Sequence, residues 1–223
     1  MESKYLSAEA LASKVASYIK DQLVLVLKEQ AFCSLGLSGG RSPTPLFHEL
    51  AKILPVDIVR RLNIFLVDER HVPFTSPDSN FKLIKENFIN RLVVSPKNFI
   101  YPVTFLSQED AANQYQKDLK EYAPFDILVL GLGEDGHTAS LFPGEEYLAK
   151  DGKMIIAPPL IHHGHKRISL NYKAILDAHL AIFYIPGQNK KEILEKVCQN
   201  GDNFPAQRII SRHPKVIIFR EKI

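Results

Sequence analysis

Six short apolar runs punctuate the chain, and several are separated by stretches with helical periodicity. The runs are Ala31–Leu37, Asn63–Val67, Asp126–Leu130, Met154–Ala157, His179–Ile185 and Val216–Phe219. Each is too short for a helix that buries itself and has the length of a buried strand. Between them, Leu46–Leu54, Phe81–Leu92, Glu109–Glu121 and Lys190–Val197 are amphipathic. Buried strands alternating with helices predict an α/β, Rossmann-like domain, with a mostly parallel sheet covered by helices on both faces. Ahead of the first run, Ala8, Leu11, Ala12, Val15 and Ile19 recur at helical spacing behind Ser7, a candidate cap. That helix continues to about Gln30, although Leu23–Leu27 is also compatible with a strand. No Pro/Gly/Ser-rich stretch divides the 223 residues, so residues 1–223 are expected to form a single domain.

Composition removes several functional classes. A net charge of +3 is too mild to imply nucleic acid but leaves room for a local cationic pocket. No apolar run approaches the roughly 18 residues of a membrane span, so no membrane partner is expected. The start, MESKYLSAEALASK, lacks a basic region followed by an apolar core, and no signal peptide is expected. Cys33 and Cys198 have no metal-ligand spacing, which suits a reducing, cytoplasmic setting.

In open α/β sheets, ligands bind beyond the carboxyl ends of the strands, and three loops there carry chemistry. The first is Ser38-Gly39-Gly40-Arg41-Ser42-Pro43-Thr44-Pro45. Its glycines let backbone N–H groups approach a ligand, and a helix start behind them favours an anion, as in a phosphate cradle. A plain strand-to-helix turn with proline at the helix start is the alternative. Gly36-Leu37-Ser38-Gly39-Gly40 also fits G-x-S-x-G, which would make Ser38 an esterase nucleophile. Against this, at most one strand fits before position 38, and Pro43 and Pro45 crowd the helix that should follow.

The second loop is Val67-Asp68-Glu69-Arg70-His71, with Ser79-Asn80 beyond it. Asp68 sits where a strand end would aim it at the cleft, and Arg70 offers a bidentate fork for phosphate or carboxylate. A solvated strand end is the bland alternative. The third is Gly131-Leu132-Gly133-Glu134-Asp135-Gly136-His137. It satisfies G-x-G-x-x-G, but Pro143 follows within two turns and leaves no crossover helix for a dinucleotide. A histidine with a carboxylate two residues away suits general-base work near neutral pH, the alternative being a structural histidine.

Taken together, SGGRSPTPLFHEL (38–50), VDERHVPFTSPDSNF (67–81) and DILVLGLGEDGHTASLFPG (126–144) resemble the 6-phosphogluconolactonase family, within the wider glucosamine-6-phosphate isomerase/deaminase-like fold. KRISL (166–170) and PGQNK (186–190) add weaker matches. The resemblance implies hydrolysis of 6-phosphogluconolactone to 6-phosphogluconate, without metal or other cofactor. It implies His137 as the catalytic histidine, with Asp135 as a candidate support. It also implies a phosphosugar site lined by Ser38, Gly39, Gly40, Arg41, Arg70, Arg167 and Lys190, to which the loops themselves add Thr44 as a donor and Asp68 as a cleft-facing acid. The partner expected is thus a small phosphosugar lactone; oligomeric state stays open, with a monomer favoured. The deaminase branch typically continues its DGH motif to a glutamate, where this chain has Thr138-Ala139-Ser140-Leu141-Phe142-Pro143. Three features depart from the family pattern: Pro186 ahead of Gly187, Asp177 in place of an asparagine, and His162-His163-Gly164-His165. Such histidines can bind metal loosely, but in a Pro/Gly-flanked loop they are more often solvated.

Overall fold

The computed structural model describes residues 4–6, 8–145, 152–199, 201 and 203–221. Ser7, the candidate helix cap, lies outside them. Helix α1 covers Ala8–Glu29, so Leu23–Leu27 is helical. The reason is a one-sided stripe: Leu11, Val15, Ile19, Leu23 and Leu27 are buried, while Val24 and Leu25 stay exposed.

The apolar runs become the strands β2 (Cys33–Leu37), β3 (Leu62–Leu66), β6 (Ile127–Leu130), β9 (Leu180–Ile185) and β10 (Val216–Glu221). With β1 (Lys4–Leu6) and β5 (Asn98–Ile100) they form a seven-stranded sheet in the order β1-β10-β9-β6-β2-β3-β5. Every pairing in it is parallel. The fold class expected from the alternating pattern is therefore observed. Strands β1 and β5 were not anticipated, and β1 raises the number of strands before Ser38 to two. The Met154–Ala157 run is a correction: only Ile155–Ile156 forms a strand, β7. It joins β8 (Arg167–Leu170) and β4 (Asp68–Arg70) in a separate antiparallel sheet, order β4-β8-β7.

Strand side chains alternate between two cores. Leu35, Ile64, Val129, Ile182 and Phe219 pack on one face with α1 and with α2 (Thr44–Ile53). Phe65, Leu128, Leu130, Phe183 and Ile218 pack on the other with α5 (Gln108–Leu119), α7 (Lys191–Val197) and α8 (Pro205–Arg212). Of the remaining helices, α3 (Val56–Val59) precedes β3, α4 (Asn80–Asn87) follows β4 and α6 (Tyr172–Leu176) follows β8. Among the described residues, no helix is long and apolar enough to cross a membrane.

At the amino edge of the sheet, the buried Asp126 carboxylate ties β6 to β2. It accepts hydrogen bonds from Ser34 N (2.8 Å), Ser34 Oγ (2.9 Å) and Gln30 Nε2 (2.8 Å). Bonds to a buried charged acceptor contribute about 1.5–3 kcal/mol, and their loss leaves the Ser34 N–H without a partner. Asp126→Ala is expected to destabilise the protein by at least about 2 kcal/mol in urea denaturation; an unchanged midpoint would show that the anchor carries no stability.

Candidate active site

The chain runs from β2 to β3 on one side and returns to β6 on the other. At such a reversal the segments leaving adjacent strands diverge and open a crevice. A cleft of about 230 Å³ lies there, lined by Ser38, Gly39 and Gly40 after β2, Asp68 and Arg70 after β3, Gly131–Ala139 in part after β6, and Lys190 after β9. Arg167 also reaches it. Six buried polar side-chain atoms have no hydrogen-bond partner among the described residues, and five belong to residues lining this cleft: Ser38 Oγ, Arg70 Nε, Asn80 Oδ1, Arg167 Nε and Tyr184 OH. Buried polar groups are otherwise paired, so this concentration marks a surface built for a polar ligand.

The loop after β6 is folded on itself. Gly133 N donates to His137 O (2.8 Å), and Thr138 Oγ1 donates to Gly131 O (2.8 Å). His137 Nδ1 meets Asp135 Oδ1 at 2.5 Å, and the same oxygen accepts from His137 N at 3.1 Å. Partial burial works to raise the Asp135 carboxyl, but the His137 hydrogen bonds and charge outweigh it and hold it at about 2. With Nδ1 occupied, Nε2 is the ring nitrogen left for a reactant. Gly133 makes the pair possible: a Cβ there would stand 2.0 Å from His137 Nδ1 and 2.7 Å from Asp135 Oδ1. Ser140, at the far end of the loop, donates from Oγ to Asp68 Oδ2 (2.6 Å) and from N to Ser169 Oγ (3.1 Å), docking the loop on the small sheet.

That sheet gathers the cations. In the β4–β8 register Arg70 faces Arg167 directly. Like charges opposite each other are unfavourable unless something anionic lies between or beside them. Burial, followed by Arg70, depresses the Arg167 guanidinium, while Asp68 and other carboxylates oppose the change. Beneath them Glu69 is fully buried and takes N–H bonds from Arg70, Asn80 and Phe81, each 2.7 Å. Burial pushes its carboxyl up to about 7 against the pull of those three donors. It thereby caps α4 and sets Asn80, whose side chain packs so closely on Gly39 that a Cβ there would lie 2.1 Å from Asn80 Cγ. Lys190 pairs with the exposed Glu134 at 3.5 Å.

Most residues named from sequence thus converge: Ser38, Gly39, Gly40, Asp68, Arg70, His137, Arg167 and Lys190 line the cleft, with Asp135 behind His137. Arg41 is exposed and Thr44 opens α2; neither lines the cleft, because the chain turns away at Pro43. Arg167 starts an antiparallel strand rather than ending one of the main sheet. Gly187 adopts φ +96°, and the turn after Pro186 still delivers Lys190. Asp177 pairs with Lys173 on the surface. The histidine run divides: His162 bonds Glu145 and stacks on Phe142, and His165 pairs with Asp78 at 3.3 Å. His163 comes to the dyad, so that Asp135, His137 and His163 offer ligand atoms within 4.8 Å of one another. Tyr184 was not anticipated, because its strand alternation marks it as a core residue.

Residues 6–218 match the family described as glucosamine-6-phosphate isomerases/6-phosphogluconolactonase. A Nostoc protein named 6-phosphogluconolactonase is 32% identical over 84% of this chain and 80% of its own. The crystal structure of 6-phosphogluconolactonase from Thermotoga maritima superposes with a TM-score of 0.86 at 26% identity, covering 99% of both chains. A second, from Shewanella baltica, gives 0.87 at 27% identity, covering 99% of this chain and 96% of that one. The fold and cleft are those of a phosphosugar-processing α/β enzyme. The chain belongs to the glucosamine-6-phosphate isomerase/6-phosphogluconolactonase family.

Gly133→Ala is expected to keep the fold and displace the His137 ring, lowering turnover by about 10²-fold or more, the scale of losing a positioned base. Circular dichroism and steady-state rates on one preparation decide it; wild-type rates would show that the dyad geometry is dispensable.

Proposed function

We propose that this protein hydrolyses 6-phospho-D-glucono-1,5-lactone to 6-phosphogluconate, with His137 as general base. The carrying observation is the Asp135–His137 pair at one cleft with Arg70, Arg167 and Lys190. Residues 1–223 act as one catalytic unit on a small phosphosugar. No nucleic acid or membrane takes part, and a monomer suffices. The free thiols Cys33 and Cys198 suit a reducing, cytoplasmic setting.

A δ-lactone carbonyl is electrophilic enough for direct attack by water. Asp135 accepts a hydrogen bond from His137 Nδ1–H, which leaves the Nε2 lone pair to take a proton from water as its oxygen bonds to C1. The ionised carboxylate also supports the imidazolium that forms. Backbone N–H groups or a cleft cation stabilise the tetrahedral oxyanion. The C1–O5 bond then breaks, and the imidazolium returns its proton to the leaving ring oxygen. The new carboxylic acid loses a proton to solvent. The phosphate, bound at the cationic side, supplies orientation. Among the described residues no base accepts a hydrogen bond from Ser38 Oγ, which argues against a serine nucleophile. Glu145, the nearest acid beyond the DGH motif, is taken up by His162, which argues against the deaminase chemistry.

The direct experiment follows ring opening of freshly generated 6-phosphogluconolactone, corrected for spontaneous hydrolysis; no acceleration would refute the proposal. His137→Ala should lose about 10²- to 10⁴-fold in kcat with its fold intact. Ser38→Ala should stay active and escape fluorophosphonate labelling, whereas stoichiometric labelling at Ser38 would revive the esterase. Arg167→Ala and Lys190→Ala should each lose roughly ten- to a hundredfold more kcat/KM on the phosphorylated lactone than on gluconolactone. Equal losses on both substrates would remove that residue from the phosphate site.

A further inference from the structure

We propose that the Tyr184 hydroxyl is a specificity-determining group of this cleft, donating a hydrogen bond to the substrate phosphate beside Lys190. The substrate named here rests on the proposed function; the assignment of an anion to this hydroxyl does not.

Strand alternation sends Leu180, Ile182 and Tyr184 into the core shared with α1 and α2. A residue there needs only bulk. Tyr184 is 3% exposed, and its hydroxyl has no hydrogen-bond partner among the described residues. Leaving such a group unpaired costs about 1–3 kcal/mol, a penalty phenylalanine would avoid in nearly the same volume. Packing therefore does not account for the oxygen.

Position does. Tyr184 is the penultimate residue of β9, where that strand reaches the carboxyl edge of the sheet. It lines the cleft with Ser38, Gly39, Gly40 and Lys190. Ser38 Oγ, equally without a partner, belongs to the same wall. The wall continues through Ser42 to Pro43, where the chain turns away. Two buried hydroxyls without a partner among the described residues, and an ammonium group, define a subsite for an oxyanion. Burial, and next to it the charge of Glu221, raises the phenol to about 12. It remains protonated across the working range and can donate to a phosphoryl oxygen but not repel it.

The test is Tyr184→Phe, with three readouts: kcat/KM on 6-phosphogluconolactone and on gluconolactone, the unfolding midpoint without ligand, and its upward shift on titration with inorganic phosphate. The expected variant unfolds no earlier than wild type. It loses roughly tenfold or more kcat/KM on the phosphorylated lactone, far more than on gluconolactone, and shows a reduced phosphate-induced shift. Wild-type kcat/KM on the phosphorylated lactone, or equal losses on both lactones with a lowered midpoint, would overturn the assignment. If wild type leaves the lactone untouched, the proposed function fails alone. The phosphate titration then decides Tyr184: a reduced shift in the variant supports it, and an equal shift overturns it.

Discussion

The parallel pairing of β2 with β3 on one side and β6 on the other is the constraint from which the site follows. It aligns three carboxyl ends at one edge while sending the chains that leave them in different directions. The Ser38–Gly40 turn, the Asp68–Arg70 segment and the glycine-rich loop with His137 face one another because their strands are in register. The buried Asp126 anchor fixes that register from the opposite edge. The glycine-rich loop is pinned to one core by Leu132 and Leu141, while its Gly131, Gly133 and His137 line the cleft.

The second constraint is electrostatic. Two arginines opposite each other, a lysine nearby and several partnerless donors make a region that is poorly satisfied by the protein alone. Such an arrangement persists only because the frame around it is over-determined. The buried Glu69 with its three backbone donors, and the Ser140–Asp68 bond, supply that frame. The dyad is set by backbone: Gly133 leaves room for the histidine ring, and the turn brings its Nδ1 to Asp135. Ala139, at φ +53°, holds the less favoured backbone conformation just beyond it.

The fold was legible where burial governs the sequence. Fully buried strands such as Ile127–Leu130 and Leu180–Ile185 are continuous apolar runs. The three-residue strands β1, β4 and β5 are not, since partners elsewhere in the chain create them rather than their own residues. For the same reason nothing local announced that Arg70 and Arg167 would be cross-strand neighbours. The glycine-rich loop was legible because glycines, acid and histidine are close in sequence. Arg41 and Thr44 belong to the same loop pattern but stand outside the cleft lining, as the chain turns away at Pro43. Tyr184 was not foreseen because it sits on a core-facing strand position, and His163, named within its run, was not placed at the dyad because a tight hairpin at Gly164 brings it there.

In the proposed mechanism one cleft holds the two ends of a phosphorylated lactone, with C1 at the dyad and the phosphate at the cations. A crystal structure with the product 6-phosphogluconate tests this most directly. The expected complex has the C1 carboxylate within hydrogen-bond distance of His137 Nε2 and the phosphate between Arg167 and Lys190, against the Ser38–Gly40 turn. Product bound in the reverse orientation, or with its phosphate away from these cations, would contradict it.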